Sequence, residues 1–169
     1  MVRSLVVICI TVVLAVGCAC AETGPALSLG YFMFADSDLR DTDGLGMTLE
    51  VPVPTTPGRG IYASIGYITV SESAFGVKAK LSLIPVMFTV HFKQAEDTSY
   101  MGLGVGACRA KAEVSGLLPS GTLRETKTDF MWQVVGGFDF NQTVSMEVKY
   151  LNGGEDYNTG YLFSLKARF

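Results

Sequence analysis

The chain has 169 residues, with 13 lysines and arginines against 16 aspartates and glutamates and a formal net charge of −3 at pH 7. That acidic balance argues against nucleic acid as a partner, and the length suits one domain better than two. A hydrophobic content of 49% with 19 glycines is an unusual mixture for an exported soluble domain.

The amino terminus reads as a secretory signal. Arg3 is followed by the apolar run Leu5 to Val16 and then by Ala19-Cys20-Ala21. A basic start, a short apolar segment and an A-x-A site are the three parts of a cleaved signal, and the run is too short to span a bilayer as a helix. Cleavage is expected after Ala21, leaving a single domain over residues 22–169. The competing reading, a lipoprotein signal ending before Cys18, has Ala15 where leucine is usual. Removal of residues 1–21 takes three of the four cysteines, so Cys108 is left with no partner for an internal disulfide.

After residue 21 no apolar run approaches helical membrane-spanning length, so a mature chain that crosses a membrane does so with strands. Strand-like segments fall at Ala26 to Phe34, Leu45 to Val53, Ile61 to Val70, Val77 to Phe92, Tyr100 to Ala112, Asp129 to Phe140, Thr143 to Leu151 and Tyr161 to Phe169. Eight such segments predict an all-β, antiparallel, up-and-down transmembrane barrel. In most of them one face is wholly uncharged: Leu27, Leu29, Tyr31 and Met33 in the first, or Val144, Met146, Val148 and Tyr150 in the seventh. Phe130, Trp132, Phe138, Phe140 and Tyr150 lie near strand ends, as aromatic belts at two membrane interfaces would.

The fourth and fifth segments resist a single alternation. Lys78, Lys80 and Ser82 share a phase with Phe88, Val90 and Phe92, and a bulge at Pro85 is expected to flip it. Arg109, Lys111 and Glu113 share a phase with Met101, Leu103 and Val105, which places the charged half above the membrane. The predicted external connections are Ala35 to Gly44, Ser71 to Gly76, Glu113 to Thr128 and Asn152 to Gly160. The internal ones are Pro54 to Gly60, Lys93 to Ser99 and Asn141-Gln142.

The opposite faces would form the lumen, holding Glu50, Asp139 and Glu147 with Lys78, Lys80, Lys149, Lys166 and Arg168. Eight strands enclose a space that side chains nearly fill, so these charges are expected to pair as a plug. Asp36, Asp38, Asp41 and Asp43 lack the spacing of a helical calcium loop, so no metal or other cofactor is assigned. His91, the only histidine, has no serine at the neighbouring inward position, and no catalytic residues are assigned.

Leu83-Ile84-Pro85-Val86, the run Tyr100-Met101-Gly102-Leu103-Gly104-Val105-Gly106-Ala107 and the ending Leu165-Lys166-Ala167-Arg168-Phe169 resemble the small eight-stranded outer-membrane barrels of the outer-membrane protein A and X type. The resemblance implies a cell outer-membrane location among lipids and lipopolysaccharide, and a monomer. It also implies a last strand (Tyr161, Phe163, Leu165, Phe169) read by the barrel-assembly machinery. The role expected is structural, or contact with an extracellular partner through loop 113–128. The alternatives are a narrow porin-like channel, a membrane-embedded lipid-modifying enzyme and a soluble ligand-binding barrel.

Overall fold

The computed structural model describes residues 24–36, 42–53, 60–74, 77–93, 98–118 and 121–169; the expected signal peptide, residues 1–21, lies outside them. The chain forms β1 (Ala26–Phe34), β2 (Asp43–Pro52), β3 (Gly60–Ala74), β4 (Val77–Phe92), β5 (Ser99–Leu118), β6 (Gly121–Asp139), β7 (Val144–Asn152) and β8 (Gly160–Arg168), with a short 3-10 turn at Asp156–Asn158. Each strand pairs antiparallel with the next, and β1 closes on β8 from Ala26↔Arg168 to Phe34↔Gly160. Closure leaves no edge over the height of β1 and β8.

The alternation sorts side chains as a lipid-facing barrel would. Phe130 is 67% exposed and Leu103 57%, while Glu147 and Lys166 are 0% and 1% exposed. The lumen is filled in two tiers. Its upper half is apolar, with Phe32, Ile68, Leu83, Met131 and Leu162 packed together. Its lower half carries the ions described below. On β1 the inward residues Ala26, Ser28 and Gly30 are small beside the ionic tier, and Phe32 and Phe34 are large in the apolar one.

Two expectations need correction. No bulge occurs at Pro85: the β3–β4 register keeps one offset from Gly60↔His91 to Ala74↔Val77, although Gly66 and Tyr67 form no pair opposite Pro85 and Ile84, and the β4–β5 register runs unbroken from Lys78↔Ser115 to Phe92↔Met101. Gly66 makes this possible, because a Cβ there would stand 2.9 Å from Pro85 Cγ, so the proline ring fits against bare backbone. With one phase throughout β4, Lys78 and Lys80 lie on the outer face and are exposed. They leave the lumenal set for that reason.

The second correction concerns two expected external connections: β3 runs on to Ala74, through most of Ser71 to Gly76, and the larger change is at residues 113–128. Most of this segment is strand, not loop, because β5 and β6 run on as a hairpin paired through Ser115↔Thr122. A register shift between Ser115 and Leu118 follows, where Gly116 adopts φ 95°. The strands β3 to β6 have 15, 16, 20 and 19 residues, against 9 or 10 in the other four. The barrel therefore carries a four-stranded sheet beyond one rim. At about 3.3 Å per residue, β5 beyond Ala107 runs on the order of 35 Å along the strand.

Candidate functional site: a buried ion network and a projecting sheet

The lower lumen is organised around Lys166. β8 turns its ammonium inward, where it donates to Glu50 on β2 and, at 2.9 Å, to Glu147 on β7. Lys149 Nζ lies 3.0 Å from the second oxygen of Glu147 and 3.9 Å from Glu50. The Tyr100 hydroxyl donates to Glu147. The rings of Tyr62 and Tyr100 lie 5.5 and 5.8 Å from the same ammonium, and His91 stacks between them at 4.5 and 5.0 Å.

Two carboxylates and two ammonium groups thus neutralise one another away from water. Ligand atoms of Glu50, His91 and Glu147 lie within 4.8 Å of one another, a spacing that could hold a metal ion. The cation already shared by both carboxylates is the Lys166 ammonium.

A second cluster lies at the lower mouth. Asp139 accepts from Lys93 at 2.6 Å, Arg168 at 2.9 Å and the Ser145 hydroxyl at 2.6 Å. Above the ionic tier, Gln133 donates to Thr89. One lumenal cavity of about 10 Å³ is bounded by Thr48, Ser64, Pro85, Gln133 and Leu162 among others. That is about the least volume that holds one water.

The projecting sheet has two faces. Toward the barrel axis, Lys127 meets Glu155 at 2.7 Å, and Tyr157 and Asn158 donate to Asp129 at 3.0 and 3.3 Å. These contacts tie β6 to the β7–β8 connection. The hydrogen bond to Glu155 holds the Lys127 ammonium above the usual lysine range. Toward the outside, Glu113 Oε1 is shared by Lys111 at 2.8 Å and Arg124 at 3.0 Å. The Lys111 contact is the main reason that the Glu113 carboxyl sits below the usual glutamate range.

No family model and no curated protein matches the chain. Solved structures do. Ail, the attachment invasion locus protein of Yersinia pestis, superposes with a TM-score of 0.59 at 15% identity, over 86% of this chain and 97% of Ail. Neisserial surface protein A gives 0.58 at 13% identity, over 86% and 95%. The N-terminal β-barrel domain of OprF from Pseudomonas aeruginosa gives 0.54 at 10%, over 85% and 95%.

The chain has the fold of the small eight-stranded outer-membrane barrels. Ail has also been solved in a phospholipid bilayer nanodisc.

Within this barrel, Glu50, Glu147, Lys149 and Lys166 meet in one cluster, and Asp139 and Arg168 meet in the other. Lys78 and Lys80 reach neither. Phe130, Trp132, Phe138 and Phe140 face outward, and Tyr150 packs between Trp132 and Tyr161 with ring centroids 5.5 and 5.1 Å away. Tyr161 and Phe163 of the last strand also face outward, as does Phe169 just beyond it.

Sequence reading passed over Tyr62, Tyr100 and Lys93. The first two carry the inward phase of their strands, which was the available signal; Lys93 follows the last residue of β4 and bears no phase. Of the acidic external loop, Asp36 and residues 42–44 lie within the described set, where Asp43 accepts from the Tyr31 hydroxyl. Residues 37–41 fall outside it.

Proposed function

We propose that the protein is a monomeric, integral outer-membrane barrel whose lumen is a permanent plug and whose working surface is the sheet that β3 to β6 raise outside the cell. The observation that carries this reading is the inequality of strand length. Only four consecutive strands outgrow the bilayer, and they do so together. Among the described residues, two stretches of backbone at the sides of this sheet have no strand neighbour: β3 above Val70, where β2 pairing stops at Gly44, and β6 above Trp132, where β7 pairing stops at Asn152. An extended partner segment could pair with either. The contact surface is thus a hairpin face and its edges, in place of a floppy loop over residues 113–128.

Outer-membrane placement among lipids and lipopolysaccharide is supported by the uncharged outward band and by the solution of Ail in a bilayer. In this reading residues 1–21 are the cleaved export signal. Tyr161, Phe163, Leu165 and Phe169 form the outward stripe presented to the barrel-assembly machinery. The filled lumen speaks against a porin-like channel. His91 stacks on two tyrosines, and its Nε2 has no hydrogen-bond partner among the described residues.

Cysteine labelling on intact cells tests the orientation, because the native Cys108 is buried and contributes little background. A membrane-impermeant maleimide should react with Thr122→Cys directly and with Gln142→Cys only after the outer membrane is permeabilised. The reverse order would overturn the proposal.

A further inference from the structure

Three strands bring metal-ligand chemistry to one point of the lower lumen. Glu50 on β2, His91 on β4 and Glu147 on β7 each have a ligand atom within 4.8 Å of the other two. Tetrahedral ligands about 2.1 Å from a zinc ion stand about 3.4 Å apart, so the set closes on an ion when each ligand atom moves by less than about 1 Å. One imidazole and two carboxylates suit a first-row divalent ion, whereas Ca²⁺ takes about six to eight oxygens.

His91 is held in place for such a role. Its partners across the two ladders are Gly60 on β3 and Gly102 on β5. A Cβ at Gly102 would stand 2.7 Å from His91 Cδ2, and one at Gly60 2.9 Å from the Tyr62 ring. The two glycines leave the slot in which the imidazole lies between Tyr62 and Tyr100, with ring centroids 4.5 and 5.0 Å away. Stacking fixes the ring, yet its Nε2 is buried with no hydrogen-bond partner among the described residues, and such a nitrogen calls for a ligand. Glu147 Oε2 makes no hydrogen bond there either; its charged neighbour is Lys149 at 3.0 Å. The Tyr100 hydroxyl donates to the other oxygen of Glu147 and orients the carboxylate, as the outer partners of metal ligands do.

We propose that Glu50, His91 and Glu147 form a Zn²⁺ site, reached from the lower mouth of the barrel, in which the ion competes with the Lys166 ammonium. Lys166 donates to Glu50 and, at 2.9 Å, to Glu147, and so holds the position between the two carboxylates that a divalent ion takes. On binding, the ammonium withdraws toward the rings of Tyr62 and Tyr100, already 5.5 and 5.8 Å from it. His91 is one residue from the end of β4 and only half-buried, so the imidazole is the first ligand an entering ion meets. The apolar tier of Phe32, Leu83 and Leu162 above the site offers no further ligand, and the ion stops there.

The site concerns the lumen and does not depend on what the projecting sheet binds. The folded full chain in zwitterionic micelles, washed with chelator, is titrated with Zn²⁺ by calorimetry, and Co²⁺ absorption reports the coordination geometry. One ion per chain is expected, with the intense bands of tetrahedral Co²⁺. Lys166→Met removes the competitor and should tighten Zn²⁺ binding by at least about tenfold, the factor for a site that its occupant leaves free a tenth of the time. Tyr100→Phe should weaken binding by about tenfold, as loss of an outer partner does. His91→Phe keeps a stacked ring in the slot and removes the ligand, so it should lose more than the about 100-fold at the upper end of that range.

Heat-modifiable gel migration confirms that each variant is folded. Equal Zn²⁺ binding by His91→Phe would overturn the proposal, and so would a folded wild-type chain that takes up no Zn²⁺ at any concentration the micelles tolerate. Folded Lys166→Met that binds no more tightly than the wild type would overturn it too. Should Lys166→Met fail to fold, the comparison of the wild type with His91→Phe decides alone. Any of these results alongside the expected maleimide pattern would leave the orientation standing and remove only the metal site.

Discussion

Glu147 shows what the lumen demands of a single residue. Its two oxygens serve Lys166, Lys149 and the Tyr100 hydroxyl. Truncation would leave Lys149 with Glu50 alone at 3.9 Å and Tyr100 without its acceptor. Glu147→Ala is predicted to cost about 3–5 kcal/mol in urea unfolding from micelles, the range for breaking a buried ion pair from one side. Glu147→Met combined with Lys166→Met should cost less than Glu147→Ala alone, because Glu50 then faces only the Lys149 ammonium and the buried charges still balance.

Glu113 is the opposite case, a carboxylate on the water side of the fold. Its folded pKa is depressed, so its contribution is present above the unfolded value near pH 4.3 and is lost as pH falls through the lower folded value. An NMR titration in micelles should give a Glu113 midpoint below about 4.3. Lys111→Ala should raise that midpoint.

At this scale the sequence was legible for Glu50, Glu147, Lys149 and Lys166, whose phase is unambiguous. It failed for Lys78 and Lys80 because alternation reports which face a residue takes and not how high it stands. Six residues above Val86, an outward lysine is in water.

At the scale of the strand, glycine and proline decide what can lie next to what. The alternate glycines Gly102, Gly104 and Gly106, a weak motif as sequence, leave room for inward neighbours. A Cβ at Gly102 would stand 2.7 Å from His91 Cδ2, and one at Gly104 2.7 Å from Thr89 Oγ1. Gly66 does the same for Pro85. Gly66→Ala should therefore destabilise by about 1–3 kcal/mol, and by clearly less in a Pro85→Ala background. A double-mutant cycle in urea measures the coupling, and additive effects would refute the contact.

The ends of β1, β7 and β8 came within a residue or two of the expected bounds, because lipid on one side and a filled lumen on the other impose strict alternation. The extension of β5 and β6 did not. From Thr122 to Thr128 the residues on both faces are polar or charged, apart from Leu123, since both faces of that hairpin meet water. Periodicity vanishes there while the ladder continues.

For the whole molecule, the two lumenal tiers act in series, and each responds to a different perturbation. Ion pairs respond to charge deletion, and where water and salt reach them they are screened. The layer of Phe32, Ile68, Leu83, Met131 and Leu162 excludes water without regard to ionic strength. The apolar tier was the less legible half, because the inward phase was read from its charges while Phe32 and Phe34 continue that same phase upward. A permeating ion would have to displace Lys166 from two carboxylates and then cross the apolar layer. The intact barrel should therefore show no stable unitary current in planar bilayers. Glu147→Ala, though destabilised, should stay non-conducting, because the upper tier is untouched. Combining it with Phe32→Ala and Leu162→Ala removes two of the largest upper side chains and should give currents. If Glu147→Ala alone conducts, the ion network is the seal and the apolar layer above it is only packing.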